Sequence, residues 1–145
     1  MEIISNSSSE TEKLAFRIAS SLKGGEVLTL YGDLGSGKTT FVKGLVKAFG
    51  IKASVISPTF VLMRHYKNVS KKERISVINH VDLYRITEAS EILNLGVLDV
   101  IGSRDSVMVI EWPKLIESYL PRGFIKVEFE VMGKNKRRIN VSDLH

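Results

Sequence analysis

The residues most able to do chemistry lie in one short stretch, Gly32 to Thr39, which reads GDLGSGKT. The stretch fits the spacing G-x-x-x-x-G-K-[ST], in which glycines let successive backbone N–H groups converge on phosphate oxygens. Lys38 is placed to reach the β- and γ-phosphates of a nucleotide, and the Thr39 hydroxyl is placed to ligate Mg²⁺. The spacing therefore predicts a nucleotide triphosphate site. The alternative is a glycine-rich turn that matches by chance.

The segments on either side of this loop have the pattern that such a site needs. GEVLTLY, before the loop, is apolar and β-branched, which predicts a buried strand. KTTFVKGLVKAFG, after the loop, has Phe41, Leu45 and Phe49 at helical spacing and Gly50 as a stop signal. The start of that helix would add free N–H groups and the positive end of its dipole to the phosphate site.

Two acidic residues end apolar runs further along the chain. The runs VMVIE and VINHVD deliver Glu111 and Asp82 to the carboxyl ends of predicted strands, where ligands bind in α/β sheets. Nucleotide hydrolysis needs a carboxylate near Mg²⁺, usually on a strand beside the loop strand. We therefore predict that Glu111 is linked to the metal and that Asp82 lines the site. A helix cap or an ordinary ion pair is the alternative role for either acid.

Three further residues lie within or beside these motifs. Thr59 in SPTF has the position of a residue that senses the γ-phosphate, or else of a turn residue after Pro58. Trp112, the single tryptophan, follows the predicted metal ligand and lies either beside the site or in the core. His80 is predicted to be a partly buried strand residue rather than a base.

The rest of the chain alternates between strand and helix patterns, which predicts one α/β domain over residues 1–145, with a mixed sheet and helices on both faces. In the first half of the chain, the other predicted elements are a strand at Glu2–Ile4, a helix with Leu14, Ile18 and Leu22 on one face, and a strand to Ile56 that is broken at Ser57-Pro58. An extended segment and a hairpin loop at Lys67–Arg74 are predicted to follow. The second half is predicted to contain a helix to about Leu95, a short helix that begins at Pro113, and a closing hairpin with its turn at GKNK.

Composition narrows the class of protein. The 145 residues, 43% of them hydrophobic, are enough for one domain with a substantial core. The absence of cysteine excludes disulfides, cysteine metal sites and thiol catalysis. No apolar run approaches the length of a membrane span, and MEIISNSSSETEK lacks the pattern of a signal peptide. These features predict a cytoplasmic protein without membrane contact.

The net charge of +5 is concentrated in two segments. RHYKNVSKKER (Arg64–Arg74) carries five basic residues against one acid, and GKNKRR (Gly133–Arg138) carries four against none. Such clusters raise the local potential for phosphates and nucleic acid, so an anionic partner is one interpretation. Two solvated loops that keep the protein in solution are the other.

Four motifs, GDLGSGKTTFVKGL, SPTF, HVDLYR and VIEWP, occur in the order and spacing of one family. The chain resembles the TsaE family, formerly called YjeE, from the first helix through the closing hairpin. The resemblance implies a phosphate-loop ATPase, with ATP and Mg²⁺ as cofactors, that serves the synthesis of N6-threonylcarbamoyladenosine in tRNA. It also implies the TsaB and TsaD proteins as partners, of which TsaD transfers the threonylcarbamoyl group, and at most a weak or indirect contact with tRNA.

The resemblance also assigns roles to residues by motif. The nucleotide would be held by Gly35, Ser36, Gly37, Lys38, Thr39 and Thr40, with Thr11 of the first helix near the base. Mg²⁺ would be held by Thr39 and Glu111, and hydrolysis would depend on Asp82, Glu111 and Lys38, with Trp112 beside the site. One departure is visible, because Lys114 stands where the family commonly has an acid after EWP.

Two other functions share the loop. A small-molecule kinase normally adds an arginine-rich lid over a second substrate, and the Arg64–Arg74 loop, the only candidate, contains more lysine than arginine. A nucleotide-dependent binding module would assemble on partners without useful turnover. The chain has no evident arginine finger of its own, with Arg85 as the nearest exception.

Overall fold

Seven strands pair into one mixed sheet in the computed structural model, which describes residues 1–56, 62–68 and 74–144. In chain order they are β1 (Glu2–Ser5), β2 (Val27–Tyr31), β3 (Met63–Lys67), β4 (Val77–Asp82), β5 (Ser106–Glu111), β6 (Ile125–Val131) and β7 (Arg137–Ser142). Their order across the sheet is β1-β7-β6-β2-β5-β4-β3. β2 runs parallel to β5 and β6, and β4 runs parallel to β5, whereas the remaining pairs are antiparallel. The predicted mixed sheet is confirmed.

The central strands are apolar because both of their faces are covered. Every residue of β5 is buried, and in β2 only Tyr31 is partly exposed. Leu28 and Leu30 join the core on one face of the sheet, and Val27 joins the core on the other. This alternation follows from the two-residue period of a strand.

Helices cover both faces of the sheet. α1 (Ser8–Ser21) and α2 (Lys38–Ala48) pack together on one face, and α3 (Ala89–Asn94) lies on the other with short 3₁₀ turns. The two long helices approach closely at Gly44, where an added Cβ would lie 2.6 Å from the Cβ of Ala15. Within the described ranges, no helix has the length and apolar character needed to cross a membrane.

Side-chain hydrogen bonds fix the start of α1. Ser7 is the N-cap residue, and its hydroxyl accepts a hydrogen bond of 3.1 Å from the backbone N–H of Glu10. The Glu10 carboxylate accepts a hydrogen bond of 2.7 Å from the N–H of Asn6. These two bonds hold the first turn of the helix in place, in a variant of the capping box in which Glu10 accepts from Asn6 rather than from the N-cap residue.

The prediction of a strand up to Ile56 is wrong. Residues 51–56 form no strand. At their end, the N–H of Ile56 donates to the Tyr66 hydroxyl of β3 at 3.3 Å, and that hydroxyl donates to the Ile56 carbonyl at 3.0 Å. Apolar and β-branched composition alone therefore gave a false strand. The predicted break at Ser57-Pro58 lies outside the described residues. The predicted hairpin is confirmed in its antiparallel β3–β4 pairing, although residues 69–73 of its loop also lie outside them.

The short helix predicted after Pro113 is instead two 3₁₀ turns, Pro113–Leu115 and Glu117–Tyr119. Ile116 separates them with φ −117 and ψ 4, and its side chain is fully buried in the second core cluster. The two turns therefore do not join into one helix, and the break between them lies at this buried isoleucine. The predicted helix near Leu95 is confirmed as α3, which ends before Gly96 at a φ of +71.

Candidate functional site

A cavity of about 570 Å³ opens at the carboxyl ends of β2, β4 and β5. Ligand pockets in proteins typically have about 300–1,000 Å³, so this cavity is large enough for a small molecule. Nine residues singled out from the sequence line it: Thr11, Gly35, Gly37, Lys38, Thr39, Thr40, Asp82, Glu111 and Trp112. The structure therefore brings together motifs that are far apart in the chain.

The glycine-rich loop connects β2 to α2 and forms the floor of the cavity. Gly32 has a φ of +149, and a Cβ there would lie 2.5 Å from the Ser36 Oγ. Gly37 is the N-cap of α2 at a φ of +110 and offers no side-chain cap, so the first N–H groups of the helix remain for a ligand. Ser36 is 1% exposed and, unlike its neighbours Gly35 and Gly37, does not line the cavity. Its N–H donates to the Asp33 carbonyl at 3.1 Å, so its predicted contact with a phosphate stays a prediction.

Lys38 lies inside the cavity, with only 4% of its surface exposed. Its Nζ donates a 2.6 Å hydrogen bond to the Gly32 carbonyl and lies 4.0 Å from the centroid of the Trp112 ring. Burial lowers the pKa of Lys38, and the carboxylates of Glu111, Asp82 and Asp33 act in the opposite direction. Phosphate oxygens would compensate the desolvated ammonium group more fully than a single carbonyl and an aromatic ring.

The two predicted acids lie side by side. Asp82 ends β4, Glu111 ends β5, and the two residues are partners in the parallel register of these strands. Both are nearly buried, at 5% and 3% exposure, and both line the cavity. An oxygen of Asp82 accepts a 2.9 Å hydrogen bond from the N–H of Tyr84, so this acid also closes the turn after β4, where no helix begins.

The imidazole of His80 contacts the carboxylate of Glu111, a contact that the sequence did not predict. His80 is fully buried, and its Nε2 lies 2.6 Å from Oε2 of Glu111. The contact orients the carboxylate and leaves its other oxygen for a ligand. The available signal was the two-residue spacing of His80 and Asp82, which puts both side chains on the same face of β4.

The side chains at this edge suit Mg²⁺ bound together with a nucleotide. In the part of the chain that the structure describes, no three His, Asp or Glu residues form a metal site by themselves. Mg²⁺ usually takes only one or two carboxylates from the protein and completes its octahedron with phosphates and water. The Glu111 carboxylate and the Thr39 hydroxyl, which line the same cavity, fit that donor set.

Trp112 turns the chain sharply after β5. Its backbone is left-handed, at φ +57 and ψ 56, a conformation that is unusual for a bulky residue and that often marks a functional site. The ring lies 5.0 Å from the Tyr84 ring and beside Lys38. Trp112 lines the cavity and also packs against the second core cluster, so it combines the two roles considered for it.

The opposite wall of the cavity contains residues that the sequence did not assign to the site. Lys134 and Asn135 come from the β6–β7 turn, Arg137 is the first residue of β7, and Ser7 and Ser8 come from the start of α1. The signal was the basic run at residues 133–138, which predicted an attraction for anions but not its place beside the loop. Among other lining residues are Leu34, Tyr84 and Arg85.

Two remaining sequence predictions differ in outcome. Thr11 lines the cavity, but it is buried and its hydroxyl lies 2.8 Å from the Ser5 hydroxyl. A ligand would therefore meet Thr11 as one half of a hydroxyl pair. Thr59 lies outside the described residues.

The fold and the cavity define an α/β protein with a glycine-rich loop between a central strand and a helix, facing one lysine and two buried carboxylates. Residues 5–139 match the family model described as threonylcarbamoyl adenosine biosynthesis protein TsaE. This match covers nearly the whole chain. The chain belongs to the TsaE family.

Named relatives and a solved structure agree with this assignment. The chain is 38% identical to the tRNA threonylcarbamoyladenosine biosynthesis protein TsaE of Rickettsia felis, over 96% of this chain and 78% of that protein. It is 39% identical to the protein of the same name from Aquifex aeolicus, over 97% of this chain and 94% of that one. A crystal structure of Bacillus subtilis YdiB superimposes with a TM-score of 0.74 at 30% identity, over 100% of this chain and 86% of that chain.

Proposed function

We propose that this protein binds and hydrolyses ATP with Mg²⁺ as the subunit required, together with TsaB and TsaD, for threonylcarbamoyladenosine modification of tRNA. Membership of the TsaE family supports the role in tRNA threonylcarbamoyladenosine biosynthesis. The observation that supports ATP hydrolysis is that the start of α2, which has no side-chain cap, lines one cavity together with Lys38, Asp82 and Glu111.

Each part of the cavity has a place in this proposal. The backbone N–H groups at the start of α2 and Lys38 would hold the phosphates. Thr39 and Glu111 would hold Mg²⁺, whose charge would neutralise the phosphate oxygens. Asp82, beside Glu111, would orient the attacking water or accept the proton that the water loses.

The proposal is tested by reconstitution with purified protein, TsaB, TsaD, tRNA and the threonylcarbamoyl donor. ATP consumption and modified tRNA are measured with each component omitted in turn. We expect modified tRNA to accumulate only when this protein and ATP are both present. ATP consumed with a small acceptor molecule would indicate a kinase, and modification supported equally by a non-hydrolysable ATP analogue would indicate a binding module.

Asp82 and Glu111 should separate into two roles. Glu111→Ala should weaken ATP binding in the presence of Mg²⁺ by about tenfold, the effect of losing one charge-assisted contact of about 1.5 kcal/mol, and should leave Mg²⁺-free binding unchanged. Asp82→Asn should bind ATP as the wild type does and lower kcat by about 100-fold, because its effect belongs to the transition state.

Calorimetry with and without Mg²⁺ and steady-state kinetics distinguish these variants. Glu130→Ala is a suitable control, since Glu130 is an exposed acid that pairs with Arg138 on the β6–β7 hairpin. The opposite pattern, with Asp82 controlling the Mg²⁺ effect and Glu111 controlling kcat, would show that the roles are exchanged.

Trp112 should report nucleotide binding directly. Its ring contacts Lys38, and phosphates that draw the ammonium group away would change the charge next to the indole. We expect the intensity or wavelength of tryptophan emission to shift on addition of ATP with Mg²⁺, without ambiguity because the chain has one tryptophan. Emission that stays constant at a nucleotide concentration shown to saturate binding by calorimetry would contradict a place for Trp112 at the phosphates.

A further inference from the structure

Arg137 connects the start of β7 to the phosphate loop through backbone carbonyls. Its Nε donates to the Ser36 carbonyl at 3.2 Å, and its Nη2 donates to the Gly35 carbonyl at 3.2 Å. Its Nη1 donates to the carbonyls of Gly133 and Lys136, both at 3.0 Å. One planar guanidinium thus joins the loop to the β6–β7 turn, a geometry for which arginine has enough fixed donors and lysine does not.

These contacts determine where the N–H groups of the loop point. In a trans peptide, the carbonyl of one residue and the N–H of the next point in opposite directions across the same rigid plane. Because Arg137 holds the carbonyls of Gly35 and Ser36 on one side, the N–H groups of Ser36 and Gly37 are directed to the other side. The N–H of Ser36 donates there to the Asp33 carbonyl at 3.1 Å, which leaves the N–H of Gly37 for a ligand. Gly37 lines the cavity, so its N–H is held toward the place of a bound anion.

The loop needs such a restraint because of its composition. Gly35 and Gly37 flank Ser36 with φ values of +78 and +110, which are conformations that glycine readily exchanges for others. If a glycine-rich loop became ordered only when the ligand binds, the loss of conformational entropy would weaken binding. The side chain of Ser36 is buried beneath the loop without a hydrogen-bond partner, and the guanidinium of Arg137 binds the loop through its carbonyls.

We propose that Arg137 is a positioning residue, which holds the phosphate loop in its anion-binding conformation before the nucleotide arrives. The expected effect on ATP affinity rests on the proposed nucleotide binding. The ordering of the loop in the nucleotide-free protein does not depend on it. Direct attraction between the Arg137 charge and the phosphates is the competing account.

Two substitutions at one position separate geometry from charge. Arg137→Gln removes the charge and most of the donors, whereas Arg137→Lys keeps the charge and loses the planar fork. Arg138→Gln is the matched control, because Arg138 is the next residue of β7 and pairs with Glu130 at 3.0 Å and Glu2 at 3.9 Å. Circular dichroism and thermal unfolding establish that each variant is folded.

ATP affinity is measured by calorimetry without Mg²⁺, so that the metal does not contribute. We expect both Arg137 variants to bind about tenfold more weakly than the wild type, the effect of losing two ordinary hydrogen bonds to the loop, and Arg138→Gln to bind as the wild type does. Wild-type affinity in Arg137→Lys together with loss in Arg137→Gln would overturn the inference in favour of charge. Unchanged affinity in both variants would also overturn it.

A second measurement needs no nucleotide. Backbone ¹⁵N relaxation of the free protein gives order parameters for Gly35, Ser36 and Gly37. We expect values near about 0.85 in the wild type and in Arg138→Gln, and values below about 0.6 in both Arg137 variants. Equal order in all four proteins would overturn the inference. If wild-type protein failed to bind ATP, the proposed function would be wrong, and the relaxation data would still decide whether Arg137 orders the loop.

Discussion

Lys38→Ala should bind ATP roughly 10- to 100-fold more weakly than the wild type, because it loses charge-assisted hydrogen bonds of about 1.5–3 kcal/mol. Lys38 is buried at the floor of the cavity beside the loop carbonyl that it now bonds. The backbone N–H groups of the loop remain in the variant, so binding should be weakened rather than abolished at high nucleotide concentration. Calorimetric titration with ATP measures the change.

Lys43→Ala is the control for this substitution. Lys43 belongs to the same helix, is exposed, and does not line the cavity. Its variant loses the same formal charge and should keep wild-type affinity. Lys38→Ala should also alter the emission of Trp112 in the nucleotide-free protein, since it removes the cation 4.0 Å from the ring. An unchanged affinity for ATP in Lys38→Ala would contradict the assignment of the loop.

TsaB and TsaD should stimulate ATP hydrolysis strongly, because a phosphate-loop site without a cation positioned on the transition state turns over slowly. A cation supplied by a partner can raise such a rate by roughly 10³–10⁵, which is the upper range for the stimulation expected here. Arg137 lines the cavity together with Arg85 and Lys134, but its guanidinium is engaged with four backbone carbonyls. We propose that neither Arg85 nor Lys134 replaces a cation supplied by the partners. Hydrolysis by the isolated protein should therefore be low.

Steady-state hydrolysis with and without TsaB and TsaD, at low and moderate salt, tests this expectation. The Lys38→Ala variant serves as the control for contaminating ATPases, since partner-dependent hydrolysis should be lost with it. A contribution of the basic surface around Lys134 to assembly would be salt-sensitive, because exposed charges are screened within about 8–10 Å at ordinary ionic strength. If the isolated protein hydrolyses ATP as fast as the complex, the protein is a self-sufficient enzyme.

Nucleotide binding and partner binding should also be linked. If ATP tightens the binding of TsaB and TsaD, these partners must tighten the binding of ATP by the same factor. Tyr84 and Leu34 are exposed side chains at the rim of the cavity and are therefore candidates to contact a partner in that form.

The sequence by itself determined the local parts of the site. The loop spacing, the apolar strand before it and the helical pattern after it are encoded in contiguous residues, and the structure has β2, the loop and α2 in that order. The placement of Asp82 and Glu111 at one edge followed from two apolar runs that each end in an acid. Parallel neighbours bring such ends together, which the register of β4 and β5 confirms.

Only the tertiary structure decided which distant residues complete the site. Arg137 and Ser36 are 101 residues apart, and their contact depends on β6 pairing beside β2 and on the turn that returns the chain as β7. No local pattern encodes that adjacency. Likewise, the contact of His80 with Glu111 depends on the register between β4 and β5, and a shift of one residue would turn His80 to the other face. Composition also misjudged residues 51–56, because a strand forms only where a neighbouring strand pairs with its backbone. The N–H and carbonyl of Ile56 bond the side-chain hydroxyl of Tyr66 instead.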